Sequence, residues 1–167
     1  MDAPPADATA DAPVDPQTQE QLDIFVSNGI KMIHDPKLSD GLIKKIIDAP
    51  DPVEAIADAT LFVVERIENS AQKNGMQLSE STLVHGSNEL MGEIMAMAEI
   101  AGLEKLSEED RHKSYSLAVS KYIDGAVKSG KMTNEQLAAR GEEAKGTPQG
   151  QEIMKTVGEI GQPGGGQ

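Results

Sequence analysis

Three histidines are the first place to look for chemistry, because the chain has no cysteine to act as a nucleophile or thiolate ligand. His34, His85 and His112 stand far apart, and none pairs at the three- or four-residue spacing that turns two imidazoles onto one metal. His34 is expected at a helix C-terminus, where a cation is favoured, and His112 in a charged first turn, Glu108-Glu109-Asp110-Arg111-His112-Lys113. His85 lies in Val84-His85-Gly86-Ser87-Asn88-Glu89, a polar stretch inside a helical pattern. A Ser87–His85 pair would need an acid to orient the imidazole and donors for an oxyanion, and one turn of helix supplies neither. The acids form no calcium loop, since no segment alternates oxygen ligands around a central Gly with a terminal Glu. The glycines form no phosphate loop: Gly86 and Gly92 are not followed by Lys-Ser/Thr. Gly29, Gly86 and Gly92 are expected instead to let helices approach closely. No catalytic, cofactor-binding or metal-ligating residue is assigned.

What the chain does offer is apolar surface. Leu90, Met91, Ile94, Met95 and Met97 form a stripe at helical spacing. Methionine adapts to many partners, so part of this stripe is a candidate contact face for another protein, although core packing is the plainer use of the same residues. A second candidate is Ile153, Met154 and Val157 in a glycine-flanked stretch, 151–160, that is marginal as a helix alone and could order on a partner.

The elements that would position these residues are helices. Asp15-Pro16 reads as N-cap and first helical position, and Leu22, Phe25, Val26, Gly29, Ile30 and Ile33 follow with helical spacing. Pro36 is expected to end that helix near His34, and Ser39 to open a short second one with Leu42, Ile43, Ile46 and Ile47 on one face. Asp51-Pro52-Val53-Glu54 predicts a third start, with Glu54 reaching back to the cap, and a stop before Gly75. Ser79 or Ser81 opens the fourth, which Gly102 ends. Ser107 caps the fifth, predicted to bury Tyr115, Ala118, Val119, Tyr122, Ile123 and Ala126 and to close at Gly130. Thr133-Asn134-Glu135-Gln136 fits a capping box for a short helix to about Ala139.

The expected architecture is all-α: a single compact domain of about five helices, one or two weak C-terminal helices, and disordered termini. Residues 1–14 are an Ala/Pro/Asp leader, 15–140 the helical domain, and 141–167 a Gly-rich, mostly flexible tail. Composition agrees, for only four of 167 residues are aromatic, which disfavours a sandwich or barrel. The chain carries 28 Asp+Glu against 15 Lys+Arg, a net charge of −13 that disfavours direct binding to duplex DNA. No apolar run is long enough to span a membrane. The first 20 residues hold five acids and no base, the opposite of a signal peptide, so the protein is expected to be cytosolic where it is made.

Between Gln19 and Met132 the segments QEQLDIFVSNGIKMIHD, DPVEAIA, VVERIENSAQKNG, LVHGSNELMGEIMAMAEIAGL and SEEDRHKSYSLAVSKYIDGAVKSGKM resemble small acidic helical proteins encoded among the structural and assembly genes of tailed bacteriophages. The resemblance rests on helix caps and apolar spacings over about two-thirds of the chain. It implies a non-enzymatic virion structural or assembly role, synthesis in a host cytoplasm, and other virion or assembly proteins as partners, with self-association compatible with that role. It transfers no functional residues. A rival expectation, from charge alone, is an acidic bacterial adaptor or chaperone holding a basic or aggregation-prone client in solution.

Overall fold

Each helix begins where a side chain can satisfy its free N–H groups. The first three starts share one device, an Asp followed by Pro. Asp15, Asp35 and Asp51 accept backbone N–H bonds two or three residues on, and the proline occupies the first helical position, where no N–H is needed. The last three starts use hydroxyls: Ser79 accepts from Thr82 N, Ser107 from Asp110 N, and Thr133 from Gln136 N. Gln136 returns the bond to Thr133 N at 3.0 Å, completing the expected capping box.

The computed structural model describes residues 15–144 and 146. The leader 1–14 and the stretch 151–160 lie outside the described residues. Within them the chain is all-α, with α1 Pro16–Ile33, α2 Pro36–Ile47, α3 Pro52–Lys73, α4 Glu80–Ile100, α5 Glu108–Lys128 and α6 Asn134–Ala144. Three starts and stops differ in detail from expectation. Pro36 opens α2 rather than merely ending α1, because Asp35 caps it, so the helix starts three residues before Ser39. Glu54 does not complete a box at Asp51; its carboxylate accepts from Lys121 instead. The sixth helix continues past Ala139 to Ala144. Gly75, Gly102 and Gly130, all at positive φ, follow α3, α4 and α5, and let the next apolar residue fold back.

Helices α1, α3 and α4 form the centre, with α2 laid across one end of all three and α5 resting on α3. The core is aliphatic: Ile33 and Ile46, Ile56 and Val63, and Leu90 and Ile94 are fully enclosed, with Phe25 the one buried aromatic ring among the described residues. Burying each such side chain is worth about 1.5–3 kcal/mol.

The direction of packing follows from a size pattern. On α1, Phe25 precedes Gly29 by one turn; on α4, Gly86 precedes Leu90 by one turn. In the structure the Phe25 ring fills the space above Gly86 and the Leu90 side chain fills the space above Gly29. A Cβ at either glycine would overlap its filler. Large therefore meets small twice, which happens only if α1 and α4 run parallel. An antiparallel pairing would set Phe25 against Leu90 and leave two glycines facing a void, at the cost of both overlap and cavity. Gly92, also expected at a close approach, faces open space, because the α4 surface at that position turns away from every neighbour.

Candidate functional site

The expected contact stripe on α4 is interior. Leu90, Met91, Ile94 and Met95 are all buried, packed against α1, α2 and α3, so they present no face to a partner. Their spacing marks the inward side of the helix, because three neighbouring helices close over it. Met97 is half-buried. Ile153, Met154 and Val157 lie outside the described residues.

Apolar surface emerges one step round the same helix. Glu93, Met97 and Ile100 succeed one another at four- and three-residue intervals, a row beside the buried stripe rather than within it. Ile100, at the end of α4, is 88% exposed, the most uncovered of the large apolar side chains among the described residues. Beside it α2 turns Ile47 outward while Leu42, Ile43 and Ile46 face the core. Between the two helices opens a shallow cleft of about 560 Å³, lined by Ile43, Ile47 and Met97, with Ile100 standing at its edge. Its rim is charged with both signs: His34 at the end of α1, and Asp40, Lys44 and Asp48 spaced one turn apart along α2. These rim residues were legible as types but not as a group, since the end of one helix and the face of another bring them together.

His34 does more at this rim than favour a helix terminus. Its Nε2 meets Glu93 Oε1 at 2.6 Å, tying the C-terminus of α1 to α4. An imidazole oriented by a carboxylate is half of a nucleophile-activating pair, and Ser39 lines the same cleft. Among the described residues, however, no hydrogen bond is seen from Ser39 to His34. The arrangement suits docking by shape and charge. His85 and His112 are exposed, and the Ser87 hydroxyl donates to the Leu83 and Val84 carbonyls within its own helix rather than to His85. Among the described residues no three His, Asp or Glu side chains gather as a metal site, and no helix is long and apolar enough to cross a membrane.

A second polar group lies at the α3–α5 contact. Glu68 is 9% exposed and accepts from the Tyr122 hydroxyl at 3.1 Å, with Lys131 Nζ 3.7 Å from its other oxygen. Glu68 was not singled out from the sequence. The missed signal was its place one turn after Val64, on the inward side of α3. Lys121 bridges Glu54 at 2.8 Å and Asp58 at 2.6 Å. Desolvation is the largest single influence on Lys121 and lowers its pKa, but the hydrogen bonds and charges of Asp58 and Glu54 together outweigh it, so the ammonium titrates above its ordinary range. The Ser114 hydroxyl donates to the Val53 carbonyl at 2.9 Å. Arg111 pairs with Glu99 at 3.0 Å and pins the start of α5 to the end of α4.

The apolar face expected on α5 is only partly covered. Ala118 and Ala126 are buried, but Tyr115, Val119, Tyr122 and Ile123 are half-buried, and Ser114 and Ser116 take two of the enclosed positions. The reason is that α5 packs along its length mainly on α3, so one principal contact line crosses its face. Partial burial still raises the Tyr115 phenol above its usual range.

Comparison with known protein families, with curated proteins and with solved structures finds no match to this chain.

Proposed function

We propose that the protein is a non-enzymatic component of a tailed-phage particle, or of the machinery that assembles one, and that it acts by protein–protein contact. The observation that carries the contact reading is the open apolar cleft between α2 and the end of α4, with Ile100 standing 88% exposed beside it. An aliphatic side chain left that bare next to an apolar hollow gains most by entering another protein surface. The phage context comes from the resemblance of residues 19–132 and from the acidic all-α character.

Mass spectrometry of purified particles and of assembly intermediates tests the reading. The protein is expected in one or both, and an Ile100→Asp variant is expected to be incorporated less. Absence from every particle and intermediate overturns the virion role. Recovery with a single basic host client and no phage protein would favour the acidic adaptor in its place.

A further inference from the structure

We propose that the α2–α4 cleft is the two-fold interface of a homodimer, its occupant being a second copy of this chain. This deepens the contact reading above and rests on it for the use of the cleft.

Two features of the patch point to a copy of itself. The first is shape. A two-fold interface requires one patch to be complementary to itself, so a projection and a hollow must lie side by side on the same face. Ile100 is the projection, and the hollow between Ile47 and Met97 adjoins it. A two-fold rotation places each copy's Ile100 in the other's hollow.

The second is charge. Asp40, Lys44 and Asp48 alternate in sign at one-turn intervals along α2, and within one chain Lys44 and Asp48 form an exposed pair at 3.3 Å. Antiparallel approach of two α2 helices sets Lys44 of each copy against an α2 aspartate of the other, giving two reciprocal pairs. A foreign partner of one dominant sign would be matched by a rim of the opposite sign, whereas an alternating rim meets opposite charges on its own inverse when the two copies are offset by one turn. Two chains of net charge −13 also repel, and the patch that brings them together must avoid adding to that repulsion.

Sedimentation velocity and light scattering on the full chain, over a range of concentrations, provide the test. The expected mass is twice the 17.7 kDa of one chain. Ile100→Asp is expected to give a folded monomer, with circular dichroism confirming the helices. Val84→Asp, which charges an exposed apolar residue outside the cleft, is expected to leave the dimer intact. Lys44→Asp is expected to weaken association about tenfold, and adding Asp48→Lys to restore it. Because the chain has no cysteine, mixing an Ile47→Cys chain with an Ile100→Cys chain is expected to give a crosslinked pair under mild oxidation, in preference to either chain with itself. A wild-type monomer at high micromolar concentration overturns the proposal, as does a dimer insensitive to Ile100→Asp. A monomer whose Ile100→Asp variant still loses incorporation into particles would defeat the second copy while sparing the contact reading. A dimer absent from particles would do the reverse.

Discussion

The α1–α4 and α3–α5 seams each join two parallel helices, and they do so by different means. Along α1–α4 the contact is apolar and interlocked, Phe25 over Gly86 and Leu90 over Gly29, with polar bonds only at its ends: Gln21 accepting from Ser79 N, and His34 meeting Glu93. Along α3–α5 the contact is polar and runs through small residues, with Ser114 on the Val53 carbonyl, Lys121 across Glu54 and Asp58, and Tyr122 on Glu68. The first seam is buried between several helices and depends on shape. The second is flanked by solvent and depends on hydrogen bonds and charges that water and salt can replace. Interlocked apolar contacts tolerate little change of volume, whereas exposed ion pairs contribute little each and respond to conditions.

The largest expected effect breaks the first seam. Phe25→Ala is expected to lower stability by about 3–5 kcal/mol, because it removes a buried ring and leaves a cavity over Gly86. Urea unfolding measures it, and a loss below about 1 kcal/mol would mean the ring is not locked there. The next sharpens the contrast by making one substitution inside the interlocked seam and again where no helix is packed. Gly86→Ala is expected to destabilise, since about 1–3 kcal/mol of overpacking against the Phe25 ring exceeds the gain in helix propensity. Gly125→Ala on α5, where no neighbouring atom approaches, is expected to stabilise by about 0.5–1 kcal/mol. Equal signs for the two would erase the distinction.

On the polar seam, Tyr122→Phe removes the hydroxyl that donates to buried Glu68 and is expected to cost about 1–3 kcal/mol. Thermal unfolding at pH 7 measures it, and an unchanged melting temperature would mean that the hydroxyl is not needed there. The smallest effect is Lys121→Met, worth about 0.2–1 kcal/mol at low salt and less at high salt. Because the folded-state pKa of Lys121 is raised, its contribution is complete below the unfolded value and fades as pH rises through the folded one. Wild type and variant are therefore expected to differ by a constant amount near neutrality and to converge above about pH 10.4 in denaturant titrations. A difference that grows with alkali would reverse the assignment.

How much was legible beforehand depended on the range of the interaction. The caps at Asp15, Asp51, Ser107 and Thr133 and the glycine stops at Gly75, Gly102 and Gly130 are written in a few adjacent residues, and the helices begin and end there. Asp35-Pro36 is the same device as the other two Asp-Pro starts, but so close behind α1 that the proline reads as a stop alone. Gly29 and Gly86 were legible as points of close approach, while their fillers and the parallel pairing were not. The cleft was illegible as a unit. Its apolar row, Met97 and Ile100, sits beside a stronger stripe that periodicity detects first, and its opposite wall comes from α2 some fifty residues earlier in the chain.

The amino-acid sequence by itself determined that the chain is helical, where most of its helices start and stop, and which side of each carries apolar residues. Hydrogen-bonded caps and one-dimensional periodicity involve only residues within a turn or two of each other. Tertiary structure alone decided which apolar sides are covered. Three neighbours enclose the methionine stripe of α4, one principal neighbour leaves half of α5 open, and the meeting of α2 with the end of α4 leaves Ile100 bare. Coverage depends on which distant helix arrives and in which direction. Here that direction turns on two glycines set opposite two large side chains, a match that exists only once both helices are in place.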